Sequence, residues 1–242
     1  MSEIFNLEDY KDELEDILGE SRRLGFLGPI ALESHISQAQ GFAEVIMEHL
    51  GYDEGLLSGE KLLDLGSGGG LPGLVLVAEL TSITITLLEA SSKRSEFLKS
   101  VISGHGLDTK VNVYAHRAEL AGRDPAMRSG YGIVVARSFG PPGVVAECAA
   151  PLLREGGWLI VSEPPQAQES EFLLNGSEST LSEGNKDQPL AVRWPNEYLA
   201  ELGLSFHKLV VAGYRFAVMR QMSLCPEKFP RRVGVPNKRP LF

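Results

Sequence analysis

"KLLDLGSGGGLPGLVL", residues 61–76, places five glycines within eight positions between two apolar runs. The first run suits a buried strand and the second the start of a helix, so the glycines fall where a strand turns into a helix. Gly66, Gly68 and Gly70 follow Asp64 in the pattern D-x-G-x-G-x-G, and Leu71-Pro72-Gly73 leads into the helix. A loop so stripped of side chains lets a ligand lie against the backbone where any Cβ would collide, and it delivers that ligand to the N-terminus of the next helix. This stretch therefore predicts an α/β fold that binds a nucleoside-like ligand.

Working outward, further apolar runs suit buried strands at 83–88, 111–114, 133–136 and 158–161, with helical segments at 73–80, 93–103 and 144–153 between them. Repeated strand, helix, strand units imply a parallel sheet covered on both faces. Residues 204–211 and 214–220 are β-rich and separated by Ala212-Gly213, which predicts a final hairpin and hence an antiparallel last strand. The expected architecture is a Rossmann-like, seven-stranded, mostly parallel sheet. Upstream, Leu7, Tyr10, Leu14, Ile17 and Leu18, and then Ile36, Ala39, Ala43, Ile46 and Leu50, recur at helical spacing on either side of a Gly28-Pro29 break. The chain divides into an N-terminal helical extension (1–55), a ligand-binding domain (56–225) and a basic tail (226–242). Residues 163–190, rich in Ser, Glu, Gln and Gly, read as a flexible insertion.

Composition bounds the function. The 242 residues are 43% hydrophobic and 23% charged, without an apolar run long enough to span a bilayer or a signal-peptide pattern, so a cytoplasmic location is expected. Cys148 and Cys225 are far apart and lack ligand-spaced neighbours, so neither a disulfide framework nor a metal site is predicted. Net charge is −9, yet the last seventeen residues carry Lys228, Arg231, Arg232, Lys238 and Arg239 against Glu227 alone, a local +4 that leaves −13 elsewhere. That asymmetry suits an acidic enzyme that touches a polyanion locally.

The loop leaves the ligand open, because Gly68-x-Gly70-x-x-Gly73 also satisfies the dinucleotide fingerprint. Asp64, two residues before the first glycine, stands where S-adenosylmethionine-dependent methyltransferases carry an acid near the methionine end of the cofactor. Glu89, at the end of the second strand, suits ribose hydroxyls and is shared with nicotinamide binders. His116-Arg117-Ala118-Glu119 follows the third strand, where methyltransferases hold the adenine. The fourth strand ends in VVARSFGPP, at the crevice where open α/β sheets bind ligands. It lacks the Asp or Asn followed by Pro-Pro and an aromatic that accompanies exocyclic amine methylation. Pyrimidine-carbon methylation needs a cysteine nucleophile, and Cys148 falls inside a helical pattern instead. A ring nitrogen with a free lone pair needs no base to unmask it, so positioning and electrostatics would suffice. Arg137 then suits a base, a phosphate or the cofactor carboxylate, and Phe139 suits stacking or the core.

With these residues in place, the chain resembles the ribosomal RNA small-subunit methyltransferase G family, also called glucose-inhibited division protein B. DLGSGGGLPGLVL is similar to the family's glycine loop, and KRSEFL at 93–98, RAE at 117–119, VVARSF at 134–139, APLLREGGWLIV at 150–161 and the KFPRRVGVPNKRPL ending follow in the family's order. The resemblance implies a class I methyltransferase fold and methyl transfer from S-adenosylmethionine to guanine N7 of 16S ribosomal RNA; whether the substrate is naked RNA or the small subunit stays open in the sequence, and a monomer is expected. It implies cofactor contacts at Gly66, Leu71, Ala118, Glu119 and Arg137, with Glu89 at the ribose position; the loop itself adds Asp64, Ser67 and Gly68 to the expected cofactor contacts, and Arg137 is expected to be catalytic. RNA contacts are expected at Lys93, Arg94, Arg231, Arg232, Lys238 and Arg239, so that loss of 226–242 would cripple RNA methylation and spare cofactor affinity. Two departures stand out. SHISQAQ keeps only His35 of the family's second-helix polar residues, and Ser162-Glu163-Pro164-Pro165 stands where the family tends to show Lys-Gly.

Overall fold

The structure, a computed structural model, describes residues 7–164 and 193–242. The insertion expected at 163–190 lies outside the described residues apart from Glu163 and Pro164. In chain order the elements are α1 (Leu7–Arg23), α2 (Leu32–Glu44) running into a π turn (Val45–His49), α3 (Glu54–Leu57), β1 (Lys61–Leu65), α4 (Gly73–Glu79), β2 (Thr84–Leu88), α5 (Ser92–Gly104) and β3 (Val111–Tyr114). Then come α6 (Ala118–Ala121), β4 (Tyr131–Ala136), α7 (Pro142–Ala149), β5 (Leu153–Glu163), α8 (Asn196–Glu201), β6 (Leu204–Ala212), β7 (Tyr214–Gln221) and α9 (Val235–Lys238).

The strands form one seven-stranded sheet in the order β3-β2-β1-β4-β5-β7-β6. β1 to β5 pair in parallel, and β7 enters antiparallel between β5 and β6. Strands covered on both faces read as unbroken apolar runs, which is why 62–65 and 133–136 were legible. Their side chains then divide by alternation: Leu62, Ile133 and Val135 join the core under α1, α2, α4 and α5, while Leu63, Leu65, Val134 and Ala136 join the core under α6, α7 and α8. β5 is longer than its apolar centre, because Leu153 already pairs with Tyr131 ahead of the irregularity that precedes the Ile133–Trp158 pairing.

The N-terminal helices are built into the body. α1 buries Tyr10, Leu14, Ile17, Leu18 and Ser21, a helical stripe, against the sheet face that carries α4. The Tyr10 hydroxyl donates to the Leu74 carbonyl at 2.8 Å and the Ser21 hydroxyl to the Gly69 carbonyl at 2.8 Å, so α1 braces both the glycine loop and the helix behind it. Beyond β5, the chain re-enters through Arg193 and Trp194, whose side chains donate to the buried Glu163 carboxylate at 2.7 and 2.8 Å. Glu163 thus belongs to the strand rather than to the polar segment after it. Among the described residues no helix is long and apolar enough to cross a membrane.

Candidate active site

The strand order reverses between β1 and β4, and the crevice beyond the carboxyl ends of the strands at such a point is where open α/β sheets bind ligands. A cavity of about 570 Å³ lies there, within the range of small-molecule sites. Its walls come from the loop after β1 (Gly66 to Gly69, Leu71), from Glu89 after β2, from Ala118 and Glu119 after β3, and from Arg137 and Phe139 after β4. α2 adds His35 and the C-terminal segment adds Asn237.

The glycine loop shapes the floor. Gly66 and Gly68 have φ of +77° and +57°, a region that costs an L-residue roughly 1–2 kcal/mol. A Cβ on Gly66 would come within 2.5 Å of the Phe139 ring, whereas on Gly68 its nearest neighbour would be the Gly66 carbonyl at 3.8 Å, leaving it aimed at open space. The loop is tied to β2 by Gly66 and Ser67 N–H groups donating to the Leu88 carbonyl at 2.9 and 3.0 Å. Such a cradle fits a ligand pressed against backbone, as the class of nucleoside cofactors requires.

Glu89 is buried, and its carboxylate accepts from the Gly68 N–H (2.9 Å), the Ser91 N–H (2.7 Å) and the Arg94 guanidinium (3.0 Å). A carboxylate has about four acceptor sites, so one remains for a ligand hydroxyl unless Arg94 yields its place. Arg94, expected on RNA, lines the cavity and pairs with Glu89. Lys93 is exposed and lies along a separate groove with Glu13, Asp16, Glu20 and Glu96, so acidic side chains surround its charge.

Asp64 is fully buried behind the loop rather than in the cavity wall. One carboxylate oxygen accepts the Gly73 N–H at 3.0 Å, and the other has no hydrogen-bond partner. Burial pushes this carboxyl up to about 7, with the Gly73 hydrogen bond opposing. Because the folded-state value lies above the unfolded one, the unfolded chain releases this proton first as pH rises, and Asp64 lowers stability between pH 5 and 7 by about 1 kcal/mol per pH unit. Asp64→Asn should therefore flatten that part of the stability profile. Urea midpoints of both forms at pH 5 and pH 8 check this; parallel profiles would show that the carboxyl titrates normally.

Arg137 follows β4 and enters the cavity half-buried. Its Nε donates to Gln38 Oε1 at 2.6 Å and its Nη2 to His35 Nδ1 at 2.5 Å. A guanidinium only donates, so His35 Nδ1 is the acceptor and the imidazole is neutral; burial and the adjacent Arg137 charge both hold its pKa low. Three of the five guanidinium N–H groups remain for a ligand. The next residue, Ser138, has φ of +52°, a strained conformation that swings the chain so that Arg137 and Phe139 both reach the cavity. His35, left without a role by the sequence, and Gln38, which the sequence did not single out, are the holders of Arg137. Nothing short of the fold reveals a pairing across about a hundred residues.

The third strand delivers Ala118 and Glu119. Burial opposes ionisation of Glu119, but the Gly234 N–H at 2.8 Å and Arg117 outweigh it and hold its pKa below the usual carboxylate value. Cys148, which the sequence puts inside a helical pattern, reaches the cavity wall, yet burial pushes its pKa far up and removes any thiolate nucleophile. The basic tail is docked rather than free. Arg231 donates through its backbone and guanidinium to Glu147, whose side chain is 0% exposed, and to the Arg239 carbonyl. Arg231 is thus paired with a buried acid, whereas Arg232, Lys238 and Arg239 are exposed and pair with no acidic side chain among the described residues.

Sheet order, antiparallel β7 and a glycine cradle with Asp64 buried behind it in β1 and Glu89 and Glu119 beside it after β2 and β3 define a class I methyltransferase, whose methyl donor is S-adenosylmethionine. The solved structures share this fold: an O-methyltransferase from Bacillus cereus in complex with SAH matches with a TM-score of 0.54 at 19% identity, over 86% of this chain and 89% of that one. Fibrillarin from Aeropyrum pernix, solved with bound S-adenosyl-L-methionine, matches with a TM-score of 0.51 at 13% identity, over 76% of each chain. The family model for rRNA small subunit methyltransferase G (GidB) matches residues 43–188. Proteins named ribosomal RNA small subunit methyltransferase G match at 33% identity in Pelotomaculum thermopropionicum (77% of this chain, 72% of that one) and at 32% in Desulfitobacterium hafniense (82% and 78%). The chain belongs to the rRNA small subunit methyltransferase G family.

Proposed function

We propose that this protein transfers the methyl group of S-adenosylmethionine to N7 of a guanine in 16S ribosomal RNA. The observation that carries the reading is the Arg137 guanidinium, fixed in the cavity by His35 and Gln38 and left with free donors beside a wall whose one thiol, Cys148, is held protonated by burial. Guanine N7 needs neither a nucleophile nor a base from the protein. S-adenosylmethionine, held by the glycine loop and Glu89, would supply a methyl carbon on a sulfonium, which the N7 lone pair could take directly while the carbon–sulfur electron pair stayed with sulfur and the positive charge passed to the guanine. What the protein must do is hold the base in line and keep water out. Arg137 suits the guanine O6, an acceptor beside N7. Phe139, aromatic and next to the glycine loop, suits the face of the base. Asp64, Gly66, Ser67, Gly68, Leu71, Glu89, Ala118 and Glu119 form the cofactor side, Asp64 and Ser67 largely by holding the loop. Arg232, Lys238 and Arg239 suit the surrounding phosphates, which makes affinity fall as salt rises.

Labelled methyl from S-adenosylmethionine should enter 16S ribosomal RNA, supplied naked or in the small subunit, and should not enter small-molecule acceptors. Absence of label from both RNA forms, in protein that binds S-adenosylhomocysteine, overturns the reading.

A further inference from the structure

The C-terminal segment, expected to serve RNA alone, also forms part of the cofactor cavity. It is clamped on both sides of α9. Before the helix, Arg231 grips the buried Glu147 and the Gly234 N–H donates to Glu119 at 2.8 Å. Within it Pro236 is buried. After it, the backbone of Leu241 and Phe242 crosses α7 so closely that a Cβ on Gly143 would come within 2.8 Å of the Phe242 carbonyl, and the Phe242 ring stacks on Tyr198 with centroids 5.6 Å apart. Asn237 sits between these clamps. It lines the same cavity as Ala118 and Glu119, and its carboxamide makes no hydrogen bond among the described residues. An exposed asparagine on a loose tail means little, but one on a segment fixed against a ligand cavity presents a donor and an acceptor at a set place.

We propose that Asn237 reads the adenine ring of S-adenosylmethionine, an inference that rests on the methyltransferase reading of the cavity. Gly234, three residues before Asn237, is bonded to Glu119 after β3, and β2 and β1 separate β3 from β4, which carries Arg137, so the segment stands at the nucleoside end of the cavity. A carboxamide offers an N–H and a carbonyl oxygen side by side, which match an adenine edge's ring-nitrogen acceptor and exocyclic amino donor. The tail therefore serves cofactor and RNA together, and its removal lowers cofactor affinity as well as RNA methylation.

Calorimetry on the full chain tests this with S-adenosylhomocysteine and its deaminated analogue S-inosylhomocysteine, which carries an oxygen where adenine carries the amino group. The unaltered protein should prefer the adenine form, and Asn237→Ala should bind it roughly tenfold more weakly while the preference shrinks to within about twofold. Its thermal midpoint should be unchanged, because the side chain holds nothing in place. Equal affinity of Asn237→Ala and the unaltered protein for S-adenosylhomocysteine overturns the proposal, as does an equal loss for both ligands. If the unaltered protein binds neither ligand, the methyltransferase reading falls, and this inference with it. A variant with full cofactor affinity and weakened RNA methylation would assign Asn237 to RNA, against the proposal.

Discussion

Arg231→Ala is expected to destabilise the fold by about 3–5 kcal/mol, the usual cost of leaving a buried charge without its partner. The Glu147 side chain is 0% exposed and accepts from three Arg231 donors: the backbone N–H at 2.8 Å, Nε at 2.8 and 3.0 Å to its two oxygens, and Nη2 at 2.5 Å. Truncation at Cβ keeps only the backbone donor. The same change frees Arg239, whose carbonyl Arg231 also holds, so the segment that carries α9 loosens from the body. Replacing both partners with apolar residues, as in Glu147→Leu with Arg231→Met, should recover most of the loss, because no charge is then stranded. Urea unfolding at pH 7 reads both effects. A single variant within about 1 kcal/mol of the unaltered protein would show that the pair is solvated and that the tail docks by other means.

The second large effect falls on catalysis. Arg137→Ala should lower kcat/KM for RNA by about a hundredfold or more, the scale of a lost donor in a water-poor site. The fall should exceed any loss of S-adenosylhomocysteine affinity, because the proposed partner is the guanine. Arg137→Lys should recover little, since an ammonium cannot reach His35, Gln38 and the ligand from one planar fork. His35→Ala and Gln38→Ala each remove one holder and leave the charge in place, so each should give a smaller loss than Arg137→Ala. Equal rates for Arg137→Ala and the unaltered protein would remove Arg137 from the site.

The sheet was legible because strands buried on both faces cannot hide their apolar runs, and the final hairpin because Gly213, with φ of +62°, sits at a two-strand connection. The cradle was legible for a related reason: glycines at Gly66 and Gly68 answer backbone demands that are local in sequence. What stayed hidden was pairing at long range. Arg94 and Arg231 carry charge that looks available in a sequence, and only the fold supplies Glu89 and Glu147 to take it up. Gln38 and Asn237 are uncharged and sit in unremarkable helical and tail contexts, so no local pattern distinguishes them. Asp64 was placed correctly on β1 but its side chain turns behind the loop toward Gly73, since alternation along the strand sends it to the α4 face.

N7-methylguanine is cleaved by borohydride and aniline at the modified position, which gives the most direct test of the proposed activity. 16S ribosomal RNA from cells lacking this protein should resist scission at one guanine that is cleaved in RNA from unaltered cells. Restoring the protein should return the cut, and restoring the Arg137→Ala form should not. Unchanged scission in its absence, or a cut returned equally by both forms, would contradict the account.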